Sequence, residues 1–156
     1  MSRIVLTVDD SADDTMLLQR ACQRAGVGFN LHAVDDGTKA IAYLRGVDAY
    51  SDRSRHPLPN LVLLDLKMPV KSGFEVLDWL RAQPELRKLP VAIFTASQHE
   101  GDVREAYRKG ADCFLTKPIT YEELILIAQA LDKALENQHP VANALSSLTS
   151  FRPPPP

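Results

Sequence analysis

Asp9-Asp10, Asp65, Thr95-Ala96, Phe114 and Lys117-Pro118 follow one another in this order, each at or just past the end of a short apolar run. Carboxylates, a hydroxyl and an ammonium are the groups that together hold a divalent cation and a phosphoryl group. Carboxylates gathered in one place repel: unit charges ~4 Å apart cost roughly 4 kcal/mol per pair at an effective dielectric near 20. A hard cation offsets that cost, and Mg2+ accepts one or two carboxylates together with waters and a phosphate oxygen. Lys117 offers a point charge to a phosphoryl oxygen, and Thr95 offers a hydroxyl donor. Asp65, within Leu63-Leu64-Asp65-Leu66-Lys67-Met68-Pro69, is then the candidate acceptor. Carboxylate attack at phosphorus gives an aspartyl phosphate, whose added charge of about -1.5 to -2 is enough to pull Thr95 inward and bias a neighbouring element.

The elements that must position these groups alternate along the chain. Arg3-Val8, Phe29-Val34, Leu61-Leu64, Val91-Phe94 and Asp112-Leu115 read as strands, and the wholly apolar Leu61-Leu64 suits a central parallel strand buried on both faces. Each is followed by helical periodicity: Ser11 to Gly26, Asp36 to Arg45, Gly73 to Gln83 before Pro84, a segment ending near Gly110, and one starting at Thr120. Thr120 and Glu123 form a T-x-x-E capping box, and Leu124, Ile127, Ala128, Leu131 and Leu135 line one face of the last helix. Five strands, each followed by a helix, predict an α/β doubly wound, flavodoxin-like five-stranded parallel sheet in the order 2-1-3-4-5, with five helices in a single domain. In such a sheet the carboxyl ends of the strands share one edge, so the candidate residues converge there.

Bulk properties narrow the function. The chain of 156 residues, 45% hydrophobic, fits one core. Its net charge of -2, with both signs interspersed, leaves no basic face for nucleic acid. No apolar run approaches the ~20 residues that span a bilayer, and no signal peptide is legible, so a cytoplasmic protein without membrane or nucleic-acid partners is expected. Cys22 and Cys113 read as small core hydrophobes.

Three features lie outside the alternating pattern. Gly46 to Asn60 far exceeds the ~2 to 6 residues usual for such a connection, and it is expected to emerge at the edge opposite the carboxylates, as an insertion or partner contact. Residues 139–156, rich in proline, are expected to be a disordered tail. On a helical wheel Leu126 falls nearly opposite the buried stripe, which makes it an exposed interface candidate.

The joint order of the motifs resembles that of the response-regulator receiver family, over about residues 3 to 138, and the receiver domain is assigned to 1–138. The resemblance implies that Asp10 is the direct ligand of Mg2+, that Asp9 acts mainly through bound water, and that the Lys67 backbone carbonyl is a further ligand. It implies that Asp65 is the phosphoacceptor, that Thr95, Ala96 and Lys117 contact the phosphate, that Lys117-Pro118 is cis, and that Phe114 is the rotating aromatic, without the hydroxyl of a tyrosine. Length and format look most like the single-domain regulators of bacterial and cyanobacterial phytochromes. The implied phosphodonor is a sensor histidine kinase of that type. The output would leave through the face of the fourth helix, fifth strand and fifth helix, toward a homodimer partner or a downstream target. Two other readings compete. An aspartate-nucleophile phosphohydrolase usually carries Asp-x-Asp, where this chain has Asp65-Leu66-Lys67. A constitutive binding scaffold would use the fold alone.

Overall fold

The computed structural model describes residues 2–156. Its strands are β1 (Ile4–Val8), β2 (Asn30–Val34), β3 (Leu61–Leu64), β4 (Val91–Thr95), β5 (Cys113–Thr116) and β6 (Phe151–Arg152). The helices are α1 (Ala12–Ala25), α2 (Gly37–Arg45), α3 (Gly73–Ala82), α4 (Glu100–Arg108), α5 (Tyr121–Glu136) and α6 (Val141–Leu145). The sheet order is β2-β1-β3-β4-β5-β6, parallel throughout except for β6. The expected order 2-1-3-4-5 is therefore present, and one short antiparallel strand extends it.

Apolar strands and amphipathic helices explain the two cores. On one side Leu6, Val62, Leu64, Val91, Ile93 and Phe114 meet side chains of α2, α3 and α4; on the other Val5, Leu61, Leu63, Ala92, Phe94 and Leu115 meet α1 and α5. All four residues of β3 are buried, as a central parallel strand requires. Both cysteines are free and enclosed, and burial pushes their thiols up, Cys22 to about 11 and Cys113 to about 12, which leaves them inert. Among the described residues no helix is long and apolar enough to cross a membrane.

The tail corrects an expectation. Instead of being disordered, it folds back along α5, burying Val141 and Leu145 in the second core, and adds β6 to the edge of β5. Composition misled because the apolar Val141, Leu145, Leu148 and Phe151 are spaced among Ser, Thr and Pro, and they find a partner surface only in three dimensions. The same segment breaks the predicted capping box. Thr120 accepts the Glu123 N–H, but the Glu123 carboxylate accepts from Thr149 N–H at 3.1 Å instead of closing on its own helix. The complete box is at Ser72 and Glu75, which start α3.

The 46–60 segment is also folded. After Gly46 (φ 69°) a 3-10 turn at Asp48–Tyr50 brings Tyr50 against Tyr43, with ring centroids 5.2 Å apart. The Arg53 guanidinium donates to the carbonyls of Tyr43, Leu44 and His56 at 2.8–3.0 Å, satisfying the end of α2. A Cβ at Gly46 would stand 2.7 Å from that guanidinium, so glycine serves both the left-handed turn and the cap. The segment does not simply leave at the far edge: Tyr50 borders the cleft that holds Asp10, Asp35 and Lys39.

Candidate phosphoacceptor and metal site

Asp9 and Asp10 follow β1, Asp65 follows β3, Thr95 ends β4 and Lys117 follows β5, so the topology gathers them on one edge. Parallel pairing sets the depth: Asp65 N–H donates to the Val8 carbonyl at 3.0 Å, and Lys117 N–H to the Thr95 carbonyl at 2.8 Å. Carboxylate oxygens of Asp9, Asp10 and Asp65 lie within 4.8 Å of one another. Asp9 and Asp65 are only 5% and 6% exposed, whereas Asp10 faces solvent.

Lys117 Nζ sits among the carboxylates, 2.7 Å from Asp9, 2.7 Å from Asp14 and 3.2 Å from Asp65. Burial pulls the ammonium's pKa down, but the hydrogen bonds to Asp14 and Asp9 and the charges of Asp65 and Asp9 outweigh it and hold it above the ordinary lysine range. For Asp9 burial pushes the carboxyl pKa up, and neither Lys117 nor the Ser11 N–H that Asp9 accepts at 2.9 Å cancels it. The site therefore carries more negative charge than one ammonium compensates. Its donor set is all oxygen, open to solvent on the Asp10 side, and it fits a hard divalent cation that keeps several waters.

The loop that carries Asp65 is tightly held from below. A Cβ at Gly73, the first residue of α3, would come within 2.2 Å of the Asp65 carbonyl, so the close approach of α3 to this loop requires glycine. Lys67 N–H donates to Asp65 Oδ1 at 3.3 Å. Thr95 is fully buried, with its Oγ1 3.5 Å from the Ser97 N–H, while Ala96 is exposed. Phe114 is wholly enclosed in the α2–α3–α4 core.

Other expectations fare differently. Among the described residues no peptide bond is cis, so Lys117-Pro118 is trans here; trans is the form an X–Pro bond favours by about 0.5–1 kcal/mol, and in it Lys117 reaches Asp9, Asp14 and Asp65. Leu126 is 47% exposed, as expected, yet it borders the groove between α5 and α6, and the edge of β5 is occupied by β6. Asp14 was missed. Its place in the first turn of α1 reads as a helix-start acid, and only the fold turns it toward Lys117. Lys67 Nζ pairs with Asp102 of α4 at 3.5 Å, a partner with no local sequence signal.

A buried Asp65, an acidic pair, an enclosed threonine and an ion-paired lysine stand together at the carboxyl edge of a 2-1-3-4-5 sheet, a set of groups with the chemistry to hold a divalent cation and a phosphoryl group. Residues 5–129 match the response regulator receiver domain family, and the chain belongs to it. It is 34% identical over 130 residues to the response regulator Rcp1 of Synechocystis sp., covering 83% of this chain and 86% of that one. It is 36% identical over 121 residues to the probable methanogenesis regulatory protein FilR2 of Methanothrix harundinacea, covering 78% and 76%. Among solved structures, the phosphorylated cyanobacterial phytochrome response regulator RcpA superposes with a TM-score of 0.79 at 30% identity, covering 88% and 96%. The bacteriophytochrome response regulator AtBRR superposes with a TM-score of 0.71 at 29% identity, covering 98% of this chain and 96% of that one, so the likeness there extends over the tail. Receiver domains of this family are phosphoacceptor signalling domains, and this chain is related to phytochrome response regulators.

Proposed function

We propose that Asp65 accepts a phosphoryl group from a phosphohistidine of a sensor histidine kinase, of the phytochrome type, with Mg2+ bound by Asp9, Asp10, Asp65 and the Lys67 carbonyl. The observation that carries the reading is the cluster of Asp9, Asp10 and Asp65, two of which pair with the Lys117 ammonium, beside a buried Thr95. A carboxylate oxygen of Asp65 forms the new bond to phosphorus as the donor's P–N bond breaks and its electron pair stays on the imidazole. Lys117 neutralises charge on the transferred oxygens, and the Thr95 hydroxyl, with Ala96 beside it, turns toward them. A divalent cation held by Asp9, Asp10 and Asp65 would add to that charge neutralisation.

Exposed Val70 and Ile119, 94% and 100% accessible, lie in the loops that follow β3 and β5, which carry Asp65 and Lys117, and Leu17 lines a cleft with Ile119. Such an apolar rim suits delivery by a protein donor. An aspartate-nucleophile hydrolase acting on outside esters would need a carboxyl acid/base at position 67, where this chain carries a lysine. In this reading the output leaves through the surface of α4, β5 and α5, of which β6 forms part, toward a second copy or a downstream target. Phe114 contributes ring packing without a hydroxyl.

The test is incubation with MgCl2 and a small acyl phosphate, followed by intact mass. One phosphate is expected on the wild-type protein and none on Asp65→Asn; a phosphorylated Asp65→Asn protein defeats the assignment.

A further inference from the structure

Between the acceptor loop and the tail, the first turn of α4 is tied on both sides by side chains that the phosphoryl chemistry leaves unused. Toward Asp65, the Asp102 carboxylate accepts the Ser97 hydroxyl and pairs with Lys67 Nζ at 3.5 Å. Ser97 in turn stands next to the switch hydroxyl, its N–H 3.5 Å from Thr95 Oγ1, and its Oγ accepts the His99 N–H at 3.4 Å. Toward the tail, Arg152 of β6 donates to the Gln98 carbonyl at 3.3 Å and to the Glu100 carboxylate at 3.1 Å. Further along α4, the Tyr107 hydroxyl donates to the Arg152 carbonyl at 2.6 Å and accepts the Phe114 N–H at 3.1 Å. His99, which precedes the helix, supplies no side-chain cap, so these tethers supplement the backbone bonds from Asp102 and Val103 N–H to the His99 carbonyl at the start of α4.

Lys67 is the tether that a charge on Asp65 reaches. Its side chain is 64% exposed, and an ion pair that open to water is weak and readily exchanged. A phosphoryl group on Asp65 would set about -1.5 to -2 charges two residues away, against the single charge of Asp102. Phe114 is enclosed and has no hydroxyl, so no hydrogen bond from that ring can carry the change.

We propose that Lys67 and Asp102 form a latch through which phosphorylation of Asp65 is read by α4, with Asp102 as the positioning residue for Lys67 and Ser97, and Arg152 passing the change to β6. The inference rests on the phosphoacceptor reading of Asp65. On phosphorylation Lys67 leaves Asp102 for the phosphoryl oxygens, the 95–99 loop follows Thr95, and the first turn of α4 loses its tie to the acceptor loop. The tail strand then loses the partner of Arg152.

The experiment measures phosphate incorporation by mass and amide hydrogen exchange in the same samples of the full chain, with and without MgCl2 and acyl phosphate. In the wild-type protein, exchange of amides 98–104 and 150–153 rises several-fold on phosphorylation. In Lys67→Gln and Asp102→Asn, exchange there is raised beforehand and responds no further at equal phosphate incorporation, while Lys67→Arg restores the response. Incorporation without an exchange response in the wild type, or both charge-removing variants responding as the wild type does, overturns the latch. A wild-type protein that takes no phosphate overturns the reading of Asp65 and the latch with it.

Discussion

At the carboxyl edge of the sheet, Asp9 and Asp65 are buried beside one ammonium; at the β5 flank, a tail with few charges buries Val141, Leu145 and Ser150 and pairs its backbone with β5. The first region is held in a costly arrangement that a ligand can relieve. The second is held by apolar burial and by hydrogen bonds that no ligand needs to complete. Removing a partner from the charged edge therefore leaves something worse than a gap, whereas removing one from the flank leaves a cavity. The difference teaches why a bound cation would change the energetics of the charged edge directly, whereas the apolar packing of Val141 and Leu145 would feel it only through the side-chain ties that reach the tail.

The largest effect is expected at the charged edge. Lys117→Ala strips the cation from two buried carboxylates and should cost about 3–5 kcal/mol of unfolding free energy. Saturating MgCl2 should return part of it, because a cation bound only by the folded state stabilises that state. Urea melts with and without Mg2+ measure both; a loss that Mg2+ does not touch would mean that the edge behaves like the flank.

Next comes the flank itself. Leu145→Ala should cost about 2–4 kcal/mol by cavity formation while leaving Mg2+ affinity and phosphate incorporation unchanged. An unaltered melt would return the tail to a loose extension. A smaller loss, about 1 kcal/mol, is expected for Thr120→Ala, which removes the Thr120 hydroxyl from the Glu123 N–H at the start of α5.

The smallest effect is a pH dependence. Burial raises the carboxyl pKa of Asp9 in the folded state above its unfolded value of about 3.9, so the folded form binds its proton more tightly. Its contribution to stability is full below the unfolded pKa and is lost as pH rises through the folded one. In metal-free buffer, Asp9→Asn should flatten the melting temperature across that window. Mg2+ should reverse the sign of the wild-type trend, since the cation favours the ionised carboxylate.

Much of this molecule is legible without coordinates. Short continuous apolar runs and 3.6-residue patterns place the strands from Ile4–Val8 to Cys113–Thr116 and the helices that follow them, and parallel topology alone brings Asp9, Asp10, Asp65, Thr95 and Lys117 to one edge. Asp14 was not legible, because an acid in the first turn of a helix has a sufficient local reason to be there. Nor was the Lys67–Asp102 pair, whose members are brought together only by the adjacency of β3 and β4.

The sequence by itself determined the fold class and which charged residues stand together at the strand ends, because both depend on the pattern of apolar residues and on position at a strand end. Only the tertiary structure decided which carboxylates share Lys117, how Arg53 closes α2, and that residues 141–152 are a folded part of the sheet's edge. Those outcomes depend on which surfaces are left uncovered once the rest has folded, and burial against a distant partner leaves no periodic trace in the segment that supplies it.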